Sequence, residues 1–297
     1  MSFRELYTHK LATFCEAETP YEEASYIILG VPYDGTSTFR RGAKFAPKAI
    51  REASQEIETY SLTTKIDLEE LKIHDTGDLD THGEIKETLK RIEKIAKEVH
   101  EDDKKLIMIG GEHTISLGAI NAMKNTAFIS LDAHMDFRNE YLGLSVCHAT
   151  VTRRIYDRIG GENIFLVGVR AVCSEEIEET KKRNLNIIWI DQIRSLGVRK
   201  TSEILINKLK KYNNIYISVD FDVLDPAYAP AVQNPEPMGL SVWELVELLS
   251  SLCMKLKVSS LDFVEVAPNY DNGITAIVAA KVIVEALCSL EVGKRKF

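Results

Sequence analysis

Disulfide chemistry has little to work with in this chain of 297 residues. Its five cysteines (Cys15, Cys147, Cys173, Cys253 and Cys288) are scattered, odd in number and free of any CxxC pair. That pattern fits free thiols in a reducing cytoplasm, the compartment expected here. A basic excess is missing as well: the net charge is −8, which argues against a nucleic-acid partner. The opening residues Met1-Ser2-Phe3-Arg4-Glu5 contain no apolar signal core. The most apolar run, Ile274 to Leu287, is too short to span a bilayer and carries Lys281 and Glu285, so it is expected as a buried helix rather than a membrane anchor. No Pro/Gly/Ser-rich linker, repeat or low-complexity tract divides the chain. With 45% apolar and 28% charged residues, 1–297 is expected to fold around its own core as one domain.

Short β-forming runs alternate with helical patterns. The runs are Tyr26–Leu29, Lys105–Ile109, Ala127–Leu131, Ile164–Val167, Ile187–Ile190, Ile215–Val219 and Leu261–Val264. Several are continuously apolar, as strands covered on both faces of a parallel sheet must be. Between them, Ile85, Leu89, Ile92, Ala96 and Val99 mark one helical face of Glu84–Val99, and segments 201–211 and 241–255 behave similarly. Asn272–Leu287 is apolar nearly all round. This alternation predicts an α/β fold, a three-layer α/β/α arrangement with a doubly wound, mainly parallel sheet. Ligands of such sheets bind beyond the carboxyl ends of the strands, so chemistry should gather just after the runs.

It does. Gly110-Gly111-Glu112-His113 follows the run 105–109 and projects a histidine from a tight turn; alone, His113 reads as an ordinary turn residue. Asp132-Ala133-His134-Met135-Asp136 follows 127–131, and in extended chain residues 132, 134 and 136 point the same way. Two carboxylates and an imidazole at that spacing suit Mn²⁺ or Zn²⁺, and a cation relieves the repulsion between the carboxylates. Ser218-Val219-Asp220-Phe221-Asp222 repeats the geometry, with Asp220 and Asp222 expected on one strand face. Asp225-Pro226 reads as a turn. Together these clusters supply two histidines and four aspartates, enough for two metal ions bridged by shared aspartates. Two metals roughly 3.5–4 Å apart can hold a hydroxide between them at neutral pH.

The anchors Gly-Gly-Glu-His at 110–113, Asp-Ala-His-Met-Asp at 132–136 and Ser-Val-Asp-Phe-Asp-Val-Leu-Asp-Pro at 218–226 resemble those of the ureohydrolase (arginase/agmatinase) family, most of all its microbial agmatinases. The resemblance runs from Pro32-Tyr33-Asp34-Gly35 through Arg40-Arg41-Gly42-Ala43 to the C-terminal helix. It implies an arginase-like sheet of about eight strands and two Mn²⁺ per subunit. One Mn²⁺ would be held by His113, Asp132, Asp136 and Asp220, the other by Asp132, His134, Asp220 and Asp222. The family's bridging hydroxide attacks the guanidinium carbon and releases urea and an amine. By the same similarity Asp136 accepts a proton, His148 shuttles protons or donates to the leaving amine, and Glu265 pairs with the substrate guanidinium. Glu112 stands where many members have Asp, Thr114 where Ser is frequent, and Ala149 where Gly usually follows the histidine. A homo-oligomer, trimer or hexamer, is expected by resemblance.

Substrate choice is expected to rest on the loop Phe137–Val146. The Asn, Ser and Thr residues with which arginases hold an α-carboxylate and α-amine are not matched there; Glu140 and Tyr141 instead favour a second positive charge. That points to agmatine, cleaved to urea and putrescine. Arg138 in the same loop leaves open a guanidino acid such as guanidinobutyrate, arginine or formiminoglutamate. A single-zinc deacylase of similar architecture would leave His113, Asp136 and Asp222 without a role. A metal-stabilised subunit that only binds a polyamine-like ligand would leave His148 and Glu265 unexplained.

Overall fold

The structure, a computed structural model, describes residues 2–9 and 12–296. Among them the main sheet has nine strands: β1 (Thr8–His9), β2 (Tyr26–Val31), β3 (Ile73–Leu79), β4 (Lys105–Gly110), β5 (Thr126–Leu131), β6 (Ile164–Val169), β7 (Asn186–Trp189), β8 (Asn214–Asp220) and β9 (Val258–Val264). Their order across the sheet is β1-β3-β2-β4-β9-β8-β5-β6-β7. Every pairing is parallel except that of the two-residue edge strand β1 with β3.

Successive residues of one strand serve opposite layers, which is why the runs are apolar without alternation. Ile27 and Leu29 pack toward helices Ile85–Glu101, Ser116–Asn121 and Val151–Ile159. Tyr26 and Ile28 join the other core, shared with helices Ala46–Ser54, Val198–Leu209, Val242–Lys255 and Ile274–Lys294. The C-terminal helix packs against both 242–255 and 46–54, which accounts for its apolar circumference. Ser241 starts helix 242–255 through a capping box, its hydroxyl accepting the Glu244 N–H while the Glu244 carboxylate accepts the Ser241 N–H.

All seven expected strands are present, with boundaries shifted by up to three residues. β1 and β3 were not expected. β3 reads Ile-His-Asp-Thr-Gly-Asp-Leu, too polar to show a strand pattern. Its aspartates are nonetheless buried, because Arg51 of helix 46–54 reaches through the core to them. Arg51 Nε and Nη2 donate to Asp75 at 2.8 and 2.9 Å, and Nη1 pairs with Asp78. An internal ion network conceals this strand from any reading based on apolarity.

Candidate active site

The four central strands β4, β9, β8 and β5 end side by side, and the expected residues leave them at that edge. After β4 the chain turns at Gly110-Gly111. Neither glycine has a positive φ; Gly111 is required because a Cβ there would overlap the Tyr33 carbonyl, to which the Glu112 N–H donates at 2.8 Å. This close approach fixes where His113 emerges.

The extended-chain picture of the two aspartate pairs needs correction. β5 stops at Leu131; the His134 N–H folds back onto Asp132 Oδ1 at 2.6 Å, and Asp136 adopts φ +50°. β8 stops at Asp220, whose carboxylate accepts the Asp222 N–H at 2.9 Å and starts a short 3₁₀ turn. The aspartates converge through these turns rather than through strand alternation. Glu265, just past β9, also sits in the left-handed region at φ +71°. Non-glycine residues held there cost energy, and such strain gathers at functional positions.

The result is one buried cluster. His113 Nδ1 lies 3.1 Å from Asp132, 3.0 Å from Asp136 and 3.5 Å from Asp220, yet it has no hydrogen-bond partner. His134 Nδ1 is 2.9 Å from Asp222 and 3.8 Å from Asp132. Two donor sets follow, His113–Asp132–Asp220 and Asp132–His134–Asp222, and Asp132 belongs to both.

The opposite nitrogen of His113 shows why Nδ1 points a lone pair into the cluster. Asp262 accepts hydroxyl hydrogens from Ser116, Tyr216 and Ser218. The Ser218 oxygen, its own hydrogen committed, accepts from His113 Nε2 at 3.0 Å. A neutral His113 is therefore protonated on Nε2, and its orphaned Nδ1 faces three carboxylates. That arrangement suits a divalent cation.

Electrostatics agree. Burial and the neighbouring Asp132 push the Asp136 carboxyl up to about 7. Burial, with the Asp222 charge, also raises Asp132, and burial with Asp222 and Asp132 raises Asp220. Burial opposes charge on the histidines, but Asp132 and Asp136 outweigh it at His113, and Asp222 takes His134 up to about 10. At Asp222 burial is outweighed by His134, which holds the carboxyl at about 2. Carboxylates crowded and buried in this way favour either bound protons or divalent cations in their place.

A cavity of about 430 Å³ opens onto the cluster, lined among others by His134, Asp136, Tyr141, His148, Asp220, Asp222 and Glu265. His148, at the start of the 3₁₀ turn before helix 151–159, is buried; burial first, then the charges of His134 and His113, lower its pKa to about 4. Glu265 accepts the His113 N–H at 2.5 Å and the Gln233 amide at 2.6 Å. Of the residues expected to read the substrate, Tyr141 lines the cavity and Glu140 does not.

A sequence model of the arginase family matches residues 24–289. The chain belongs to the arginase family. It is 36% identical to the N(1)-aminopropylagmatine ureohydrolase of Thermococcus kodakarensis, over 88% of this chain and 89% of that protein. It is 33% identical to the agmatinase of Pyrococcus horikoshii, over 94% and 96% of the two chains. The solved agmatine ureohydrolase of Thermoplasma volcanium superposes with a TM-score of 0.91 at 37% identity, each chain covered to 97%. Arginase-family proteins are binuclear metal hydrolases, and this member is a ureohydrolase that cleaves C–N bonds of linear amidines in guanidino compounds.

Sequence reading missed Arg170, Glu176, Asn234 and Glu236, which also line the cavity. None sits in a motif whose spacing signals chemistry. The stretch Asn234-Pro235-Glu236-Pro237 reads as loop, and only the fold brings it over His134.

Proposed function

We propose that this chain, acting as one catalytic domain with two Mn²⁺, hydrolyses agmatine to urea and putrescine. The observation that supports agmatine over a guanidino acid is the state of the charged groups lining the cavity. Arg170 is saturated: its guanidinium donates to the carbonyls of Pro237, Gly168, Val223, Asp222, Leu224 and Glu236 at 2.6 to 3.4 Å. Glu176 is engaged by the N–H groups of Phe137 and Cys173 at 3.0 and 3.1 Å. Glu236 is different. Its side chain is 41% exposed, with His134 Nε2 3.8 Å away, which leaves the carboxylate accessible to a substrate ammonium.

Two divalent cations held by His113, Asp132, His134, Asp136, Asp220 and Asp222 would lower the pKa of water between them and supply hydroxide at neutral pH. Glu265, held by two donors at the cavity wall, is oriented to pair with the planar guanidinium. Asp136 accepts the proton released as the nucleophile attacks, and His148, neutral before the reaction, takes up a proton at its cavity-facing nitrogen and passes it to the departing amine, which would otherwise leave as an unstable anion.

Arg138 supports the alternative. It lines the cavity and its guanidinium stands over the Tyr141 ring at 5.0 Å; leaving that ring, it would meet the carboxylate of guanidinobutyrate, arginine or formiminoglutamate. Urea release from agmatine, arginine and 4-guanidinobutyrate, assayed side by side on Mn²⁺-loaded protein, separates the readings. Agmatine preference supports the first, guanidinobutyrate preference the second.

A further inference from the structure

Glu112, adjacent to a cluster ligand but turned away from the cluster, is fully buried. Its side chain faces the loop 34–38. Thr36 N–H donates to Oε2 at 2.7 Å, while the Thr36 and Thr114 hydroxyls donate to Oε1 at 2.5 and 2.6 Å. Ser37 approaches Oε2 at 3.4 Å. An amide N–H can only donate, so Oε2 is an acceptor, and with Glu112 a carboxylate Oε1 accepts as well, so both threonine hydroxyls donate to it.

Thr36 carries that direction onward. With its hydrogen committed to Glu112, its oxygen can only accept. It receives the His148 backbone N–H at 3.2 Å and stands 3.4 Å from His148 Nδ1. The second lone pair therefore meets a protonated Nδ1. His148 Nε2 is left with a lone pair, 3.4 Å from the Thr38 hydroxyl, on the side of the ring where Thr38 lines the cavity.

We infer that Glu112 is a positioning residue which, through Thr36, holds His148 as the Nδ1–H tautomer with Nε2 available to exchange protons in the cavity. The catalytic consequence rests on the reading of His148 given above; the tautomer does not.

Glu112→Gln reverses the relay in a defined way. Thr36 N–H still needs an oxygen at the Oε2 position, so the amide NH₂ must face the threonine hydroxyls. Thr36 then accepts from it and turns its own hydrogen toward Nδ1, and the imidazole proton moves to Nε2. Thr36→Val reaches the same tautomer by deleting the hydroxyl. Glu112→Asp keeps the carboxylate and should keep the Nδ1–H form.

The test is nitrogen-15 NMR of histidine-labelled protein loaded with diamagnetic Zn²⁺, with His148 assigned by loss of its signals in His148→Asn. Nδ1–H in the wild type and Glu112→Asp, with Nε2–H in Glu112→Gln and Thr36→Val, supports the relay. Nε2–H in the wild type, or Nδ1–H persisting in both variants, overturns it. In Mn²⁺-loaded protein, Glu112→Gln should lower kcat about tenfold with KM within about twofold. Full urea release by His148→Asn would overturn the catalytic role of His148, a failure distinct from that of the relay.

Discussion

A cation entering the cavity meets carboxylates that differ in how far their charge is already matched. Asp132, Asp136, Asp220 and Asp222 face histidine nitrogens, and Glu265 holds a backbone N–H and an amide. Glu236, half-exposed at the mouth, is the one whose removal should change substrate binding without disturbing the cluster. In Glu236→Gln, KM for agmatine should rise about tenfold with kcat within about twofold, as expected when an interaction equal in ground and transition states is lost. KM for 4-guanidinobutyrate should stay level or fall. Steady-state urea assays on both substrates check this; an equal rise in both KM values would contradict recognition of a second positive charge.

Arg51 ties helix 46–54 to β3 from inside the core. Replacing it by Met leaves Asp75 and Asp78 buried without their cation, a loss of about 3–5 kcal/mol measurable by urea denaturation. Little change would mean water reaches the pair. The same network explains the limits of reading the sequence. Strands filled with Val, Ile and Leu between two helical layers announce themselves, whereas β3 is held by charges whose partner lies more than twenty positions away in the chain. The candidate metal ligands were legible because each follows such a strand. The turns that bring them together, with Asp136 in left-handed backbone, were not, because period-two alternation says nothing once a strand has ended. Glu236 was hidden for a related reason: only the fold brings loop 225–240 back beside the residues that follow β5, where His134 is its neighbour.

Across the whole molecule, the carboxyl ends of the sheet hold the acidic cluster, while a cleft of about 610 Å³ elsewhere sets His100, Lys104, Lys105, Lys124 and Lys294 beside Asp102 and Asp103. Burial, and then Lys105, take His100 down to about 4 from its ordinary 6.5. Below pH 6.5 the unfolded chain binds a proton that the folded chain refuses until about pH 4. Stability contributed here is therefore present above 6.5 and lost as pH falls through that window, by up to about 3 kcal/mol. His100→Gln should flatten the slope of stability between pH 6.5 and 4 relative to the wild type; identical slopes would show that His100 is neutral to folding. The two-metal centre at the carboxyl edge rests on two donor sets that share Asp132. Its most direct test is a Mn²⁺ titration of metal-free protein, followed by bound metal per chain and by urea release from agmatine. Activity and binding should both level off at two Mn²⁺ per chain. A plateau of full activity at one ion would contradict it.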